Sequence, residues 1–397
     1  MTGTGSARGA RSRPAARDPG PSSPGTTLDV DALIADRTTS IVICCGAGGV
    51  GKTTMSASVA VRAAEAGRKV VVLTIDPARR LAQSLGIDEL DNTPRPVNGI
   101  KPGADTRGGS LDAMMLDMKR TFDDVVLSQT TPQKAAQILS NPFYQALSTS
   151  FSGTQEYMAM EKLGQLHTEA RAQGRWDLIV VDTPPARSAL DFLDAPEHLA
   201  TLLDGRFLRL LLAPARGPFR LMSAGFNLVL SAMNRILGGQ ILRDVQTFAK
   251  AFEALFGGFR QRAEQTLRLL SSAATTFVVV AAPERDALRE AAFFVDRLRE
   301  EQMPLAGVVV NRVHHTELNL SAERALALAE DYPEADPAAI ALTLHATRTR
   351  TIEREQLLLG RFRAPRSELP VRQVSALATD VTDLAALRRI GNLLAGR

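Results

Sequence analysis

Nine consecutive residues, Gly46-Ala47-Gly48-Gly49-Val50-Gly51-Lys52-Thr53-Thr54, set four glycines, one lysine and two threonines in a single run. Glycine admits the backbone angles of a tight turn and lets N–H groups come close to a ligand. Where such a turn opens a helix, the inward N–H groups hold an anion and the helix dipole adds positive potential. From Gly46 to Thr53 the spacing is G-x-x-x-x-G-K-[ST], in which the lysine reaches the β- and γ-phosphates of a nucleotide and the hydroxyl binds Mg²⁺. Two acids could complete the chemistry. Asp76 closes Leu73-Thr74-Ile75-Asp76-Pro77, where a carboxylate can orient or deprotonate a water attacking the γ-phosphate. The same residue could also cap a helix over Ala78–Gly86. Asp182 ends the apolar run Leu178–Val181, the place of an acid that holds Mg²⁺ through water. Asn311 follows Val308–Val310, and an amide there can read adenine by donating and accepting together.

Positioning these groups takes an α/β fold. Short β-branched runs alternate with helical stretches, the pattern of a mostly parallel, doubly wound sheet with helices on both faces. Strands are expected at Ile41–Cys45, Val70–Ile75, Met114–Leu116, Leu178–Val181, Phe277–Ala281, Val308–Val310 and Val371–Val374. Most are continuously apolar, as strands covered on both faces are. Ligands of such sheets bind beyond the carboxyl ends of the strands, where Asp76, Asp182 and Asn311 all fall. A helix is expected from Thr53 to Ala66. Two longer helical stretches, about 119–171 and 196–272, interrupt the alternation and read as an inserted helical subdomain. Residues 1–27, rich in Gly, Pro, Ser and Thr, read as a solvated tail before one domain over 28–397.

Composition narrows the class. Of 397 residues, 45% are hydrophobic and 23% charged, which excludes wholesale disorder. The only cysteines, Cys44 and Cys45, are neighbours, so there is no disulfide scaffold, and a reducing cytoplasm is expected. With five histidines besides, no zinc-ligand spacing can be written. Forty-seven basic residues nearly balance 43 acidic ones, and the net charge of +4 gives no nucleic-acid signature. Arg220, Asn227 and Arg235 break the apolar stripe of the second helical stretch well short of a membrane span.

The glycine pair in GAGGVGKTT resembles the deviant Walker A loop of the MinD, ParA, nitrogenase-iron-protein and ArsA group of P-loop NTPases. Within that group the chain is similar to the ArsA family of ATPases, the arsenite-pump and tail-anchored-protein-targeting branch. The resemblance runs from about Ser40 to Leu394. It is carried by GAGGVGKTT, Asp76-Pro77-Ala78, Gly153-Thr154-Gln155-Glu156, Asp182-Thr183-Pro184-Pro185, Pro283-Glu284 through Glu290, and Val310-Asn311-Arg312. It implies a dimeric ATPase using ATP and Mg²⁺. In it the residues from Gly46 to Thr54 cradle phosphate, Thr53 and Asp182 hold the metal, Asp76 and Lys52 serve catalysis, and Asn311 reads adenine. The group's second loop residue is a lysine that reaches the partner's nucleotide; here it is Ala47. The dispersed cysteines of arsenite sensing and the C-x-x-C zinc clamp are both absent, and T-G-H-T of switch II is replaced by Ala186-Arg187-Ser188-Ala189. An electron-transfer role fails for want of cluster-holding cysteines.

The leading expectation is therefore a nucleotide-driven dimeric switch that moves a helical region able to hold an apolar protein client. Without the cross-subunit lysine, a heterodimer with a paralogous ArsA-type ATPase is expected. Two alternatives stand beside it. One is a MinD-like cycling ATPase touching a membrane peripherally through Leu384, Leu387, Ile390, Leu393 and Leu394. The other is a nucleotide-binding scaffold with weak hydrolysis.

Overall fold

The computed structural model describes residues 27–76, 80–101, 108–142, 144–145, 148, 154–183, 258 and 261–397. Their strands are β1 (Ile41–Gly46), β2 (Lys69–Thr74), β3 (Arg95–Pro96), β4 (Ser110–Met115), β5 (Leu178–Asp182), β6 (Thr275–Ala281), β7 (Leu305–Val313) and β8 (Val371–Ser375). They join in one sheet of order β3-β4-β2-β5-β1-β6-β7-β8. Every pairing is parallel except that of β3 with β4. All seven expected strands form. The two-residue β3 was not anticipated, and its Arg95-Pro96 pair suits the sheet edge it occupies.

β1 lies near the middle and its side chains alternate between two cores. Ile41, Ile43 and Cys45 face one apolar layer, Val42 and Cys44 the other. Burial pushes both thiols up to about 12, so neither is a ready nucleophile. The first layer is covered by α4 (Met118–Gln129), α6 (Thr154–Gln173) and α7 (Arg285–Glu300), through Val125, Val126, Met158, Leu163, Phe294 and Leu298. Between α4 and α6 lies α5 (Pro132–Leu139). Of the expected stretch 196–272 only 258 and 261–272 are described, with a helix over 261–270.

The opposite layer is built on α1 (Val30–Ala35) and α2 (Lys52–Glu65), whose sequence KTTMSASVAVRAAE buries a run of small side chains against β1, β2 and β5. Small residues let that helix sit close over the sheet, which fixes where its N-terminus points. α3 (Arg80–Leu85) follows β2. α8 (Ala322–Ala329) and α9 (Pro337–Arg363) pair as a hairpin after β7. α10 (Leu384–Leu394) packs on α2, with Leu387 and Leu394 fully buried, Ile390 nearly so, and Arg388 ion-paired to Glu65 at 2.8 Å. This packing tells against the peripheral-membrane alternative for that segment. Its apolar stripe is core, so there is no free face to lay on a lipid surface. Among the described residues no helix is long and apolar enough to cross a membrane. The expected tail up to residue 26, Pro77–Arg79, Gly153 and the switch segment from Pro184 through Ala189 lie outside the described residues.

Candidate nucleotide site

The loop between β1 and α2 is held from below by backbone packing. Gly46 has φ 147°, and a Cβ there would meet the carbonyl oxygen of Val280 on β6 at 2.1 Å. Gly51, the residue before α2, has φ 96°, in the left-handed region that favours glycine. Gly48 and Gly49 form the exposed crest, while Ala47 and Val50 are turned into the core.

Lys52 is the first residue of α2 and is buried. Its Nζ donates to the carbonyls of Gly46 at 3.0 Å and Ala47 at 2.8 Å. Burial lowers its proton affinity, and the charges of Asp182, Asp76 and Glu290 oppose that shift, Asp182 most. Thr53 and Thr54 follow, half-buried on the first turn.

Asp182 has no exposed surface. Its Oδ2 accepts from the Thr53 hydroxyl at 2.8 Å and from the Thr74 hydroxyl at 2.9 Å. Thr74 in turn accepts the Asp76 N–H at 3.2 Å. The chain Thr53–Asp182–Thr74–Asp76 thus ties the start of α2 to the ends of β5 and β2. Desolvation dominates the Asp182 carboxyl and pushes its pKa up to about 6, against the Thr53 and Thr74 bonds and the charge of Lys52. Its second oxygen, Oδ1, is buried with no hydrogen-bond partner. A buried carboxylate oxygen left so is costly. Mg²⁺ takes oxygen ligands and keeps waters, so Oδ1 and the Thr53 hydroxyl form a donor set that fits the ion. Thr183, next in sequence, is anchored by its hydroxyl on the Cys44 carbonyl at 2.9 Å.

The structure brings Lys52, Thr53, Asp76 and Asp182 into one site. Asn311, from the far end of β7, arrives at the same loop, but its amide nitrogen donates to the Val50 carbonyl at 2.9 Å. Sequence reasoning passed over Thr74. The signal available was its place two residues before Asp76 at the end of β2, where a small hydroxyl stands among apolar neighbours.

A family model described as "Anion-transporting ATPase" matches residues 39–325. The ATPase get3 of Aspergillus terreus is 26% identical over 288 residues, which is 72% of this chain and 76% of that protein. The ATPase GET3 of Ajellomyces dermatitidis is 26% identical over 284 residues, covering 71% of this chain and 75% of the relative. The ATPase GET3 of Blastomyces gilchristii gives the same figures.

Proposed function

This chain belongs to the anion-transporting ATPase family, and we propose that it is a Mg²⁺-dependent, ATP-hydrolysing dimeric switch. The observation that carries the reading is the bonded chain from Thr53 through Asp182 and Thr74 to Asp76, with a vacant carboxylate oxygen at its centre. In this reading Lys52 leaves the Gly46 and Ala47 carbonyls for the β- and γ-phosphates. Backbone N–H groups of the loop hold the phosphate oxygens, helped by the dipole of α2. Asp182 and Thr53 would hold Mg²⁺, which would screen charge on the transferring phosphoryl group. Asp76 orients the attacking water, and its backbone link to Thr74 makes the following segment sensitive to the state of Asp182. An apolar protein client would be the cargo of the switch.

Ala47 limits the isolated chain. A cation acting across the dimer on the transferring phosphoryl group is comparable to an arginine finger, worth on the order of 10³-fold or more in rate. Ala47 cannot provide it, so the proposed assembly is a heterodimer with a paralogue that carries a lysine at the second loop position. The test compares turnover by this chain alone, with such a paralogue, and with the paralogue's lysine changed to alanine. Activation that vanishes with that lysine is expected. Fast turnover by the isolated chain, equal to the mixture, refutes the heterodimer. ATP binding without turnover in any mixture favours a scaffold instead.

A further inference from the structure

Strand β7 ends irregularly. Its pairing with β6 runs to Ala281 opposite Val310, and its register with β8 shifts between Val310 and Val313. Inside that irregularity Arg312 has φ 61°, a left-handed conformation uncommon for a residue with a side chain. Bulges of this kind re-aim a side chain beside a functional site. The residue re-aimed is Asn311. It is buried, and its Nδ2 lies 2.9 Å from the Val50 carbonyl oxygen. A Cβ on Gly51 would come 2.4 Å from that same Nδ2. The amide is therefore packed over the α-carbon of the last loop residue before α2. The loop follows β1, crosses the end of β6, where Gly46 rests on Val280, and is fastened from β7.

We propose that Asn311 is a positioning residue for the phosphate loop and acts independently of the nucleobase. By holding Val50 it fixes the peptide that leads into Gly51, and with it the direction of the N–H groups of Gly51, Lys52 and Thr53. Phosphate affinity then depends on a side chain two strands away from the loop. This deepens the reading of the loop as a phosphate cradle and rests on it. An amide carries two N–H donors and an acceptor, so the Val50 bond is chemically compatible with a base contact, and the experiment has to separate the two.

The separating probe is magnesium tripolyphosphate, which has the phosphates and no base. Its affinity, and that of Mg·ATP, are measured by titration calorimetry on the full chain and on Asn311→Ala, with folding checked by circular dichroism. The variant leaves a buried carbonyl without its donor, and the loop relaxes to solvate it. Both ligands should weaken by the same factor, about tenfold, which corresponds to about 1.4 kcal/mol. Loss of ATP affinity with tripolyphosphate affinity intact makes Asn311 a base reader only and overturns the proposal, as does unchanged affinity for both. If Asn311→Ala does not fold, Asn311→Asp carries the test. It keeps the shape but sets a carboxylate oxygen against the Val50 carbonyl, so the loss should again be equal for the two ligands, and larger. A wild-type chain that binds neither ligand sinks the cradle itself, and the proposal with it.

Discussion

Replacing Asp182 with Asn isolates what the buried carboxylate costs the nucleotide-free protein. Its pKa moves from an ordinary 3.8 to about 6 because burial disfavours the charge more than Thr53, Thr74 and Lys52 favour it. Each unit is worth 1.36 kcal/mol, so the ionised side chain costs the fold about 3 kcal/mol well above pH 6. A raised carboxyl pKa gives stability that is complete below the unfolded value and is lost as pH climbs through the folded one. Between pH 5 and pH 8 the wild type should lose about 1.4 kcal/mol at this residue, and Asp182→Asn should lose none of it. A constant penalty for the new amide, whose nitrogen would sit where Oδ1 has no partner, cancels when the two pH values are compared. The assay is urea unfolding without Mg²⁺ or nucleotide, followed by the single tryptophan, Trp176, which precedes β5 and bonds Asp112 at 2.9 Å. The variant should gain on the wild type as pH rises while losing Mg²⁺-dependent turnover. A stability difference that is flat from pH 5 to pH 8 refutes the burial argument.

Three further outcomes follow from the same geometry. Lys52→Ala removes the only side-chain cation of the loop, and ATP binding or at least turnover should disappear; equilibrium dialysis with a parallel hydrolysis assay decides it. Asp76→Asn keeps shape but not charge, so kcat should fall on the order of 10²-fold with Mg·ATP affinity kept; joint loss of both points to a structural role. Gly46→Ala sets a methyl 2.1 Å from the Val280 carbonyl at φ 147°, and the melting temperature should drop with nucleotide affinity; a variant that melts and binds like wild type contradicts the packing of loop on β6.

The strands were legible because parallel strands covered on both faces are continuously apolar, and in Val70-Val71-Val72-Leu73 or Val278-Val279-Val280 short length and β-branching decide against a buried helix. The loop was legible because its chemistry demands glycines and a lysine at fixed spacing. Sequence could not show Thr74 as the link between Asp182 and Asp76, since a threonine at a strand end is ordinary and its role depends on which strand lies beside it. β2 meets β5 in register, Thr74 opposite Asp182, and that pairing spans more than a hundred residues of chain. The membrane reading of α10 failed for a related reason. An amphipathic stripe states that a face will be covered and not what covers it; here α2 does. Asn311 was located as a strand-end amide, but its bond to Val50 depends on the bulge at Arg312, which no local pattern announces.

Lys52 and Asp182 are strained in opposite senses by the same dehydration. Burial makes the lysine a weaker base and the aspartate a weaker acid, and their mutual attraction, with the hydroxyls and carbonyls around them, helps hold the charged forms in place. In the proposed reading a polyphosphate would offer Lys52 a stronger partner than two carbonyl oxygens, and a bound Mg²⁺ would leave Oδ1 of Asp182 no longer bare. Both changes favour ionised Asp182 and so strengthen the bond that Thr74 donates to it. Thr74 also accepts the Asp76 N–H, and a hydroxyl that donates more strongly accepts more strongly. In the proposed reading the nucleotide state would thereby reach the backbone at Asp76, immediately before Pro77. On that reading Thr74 is the side chain that links Asp182 to the backbone at Asp76.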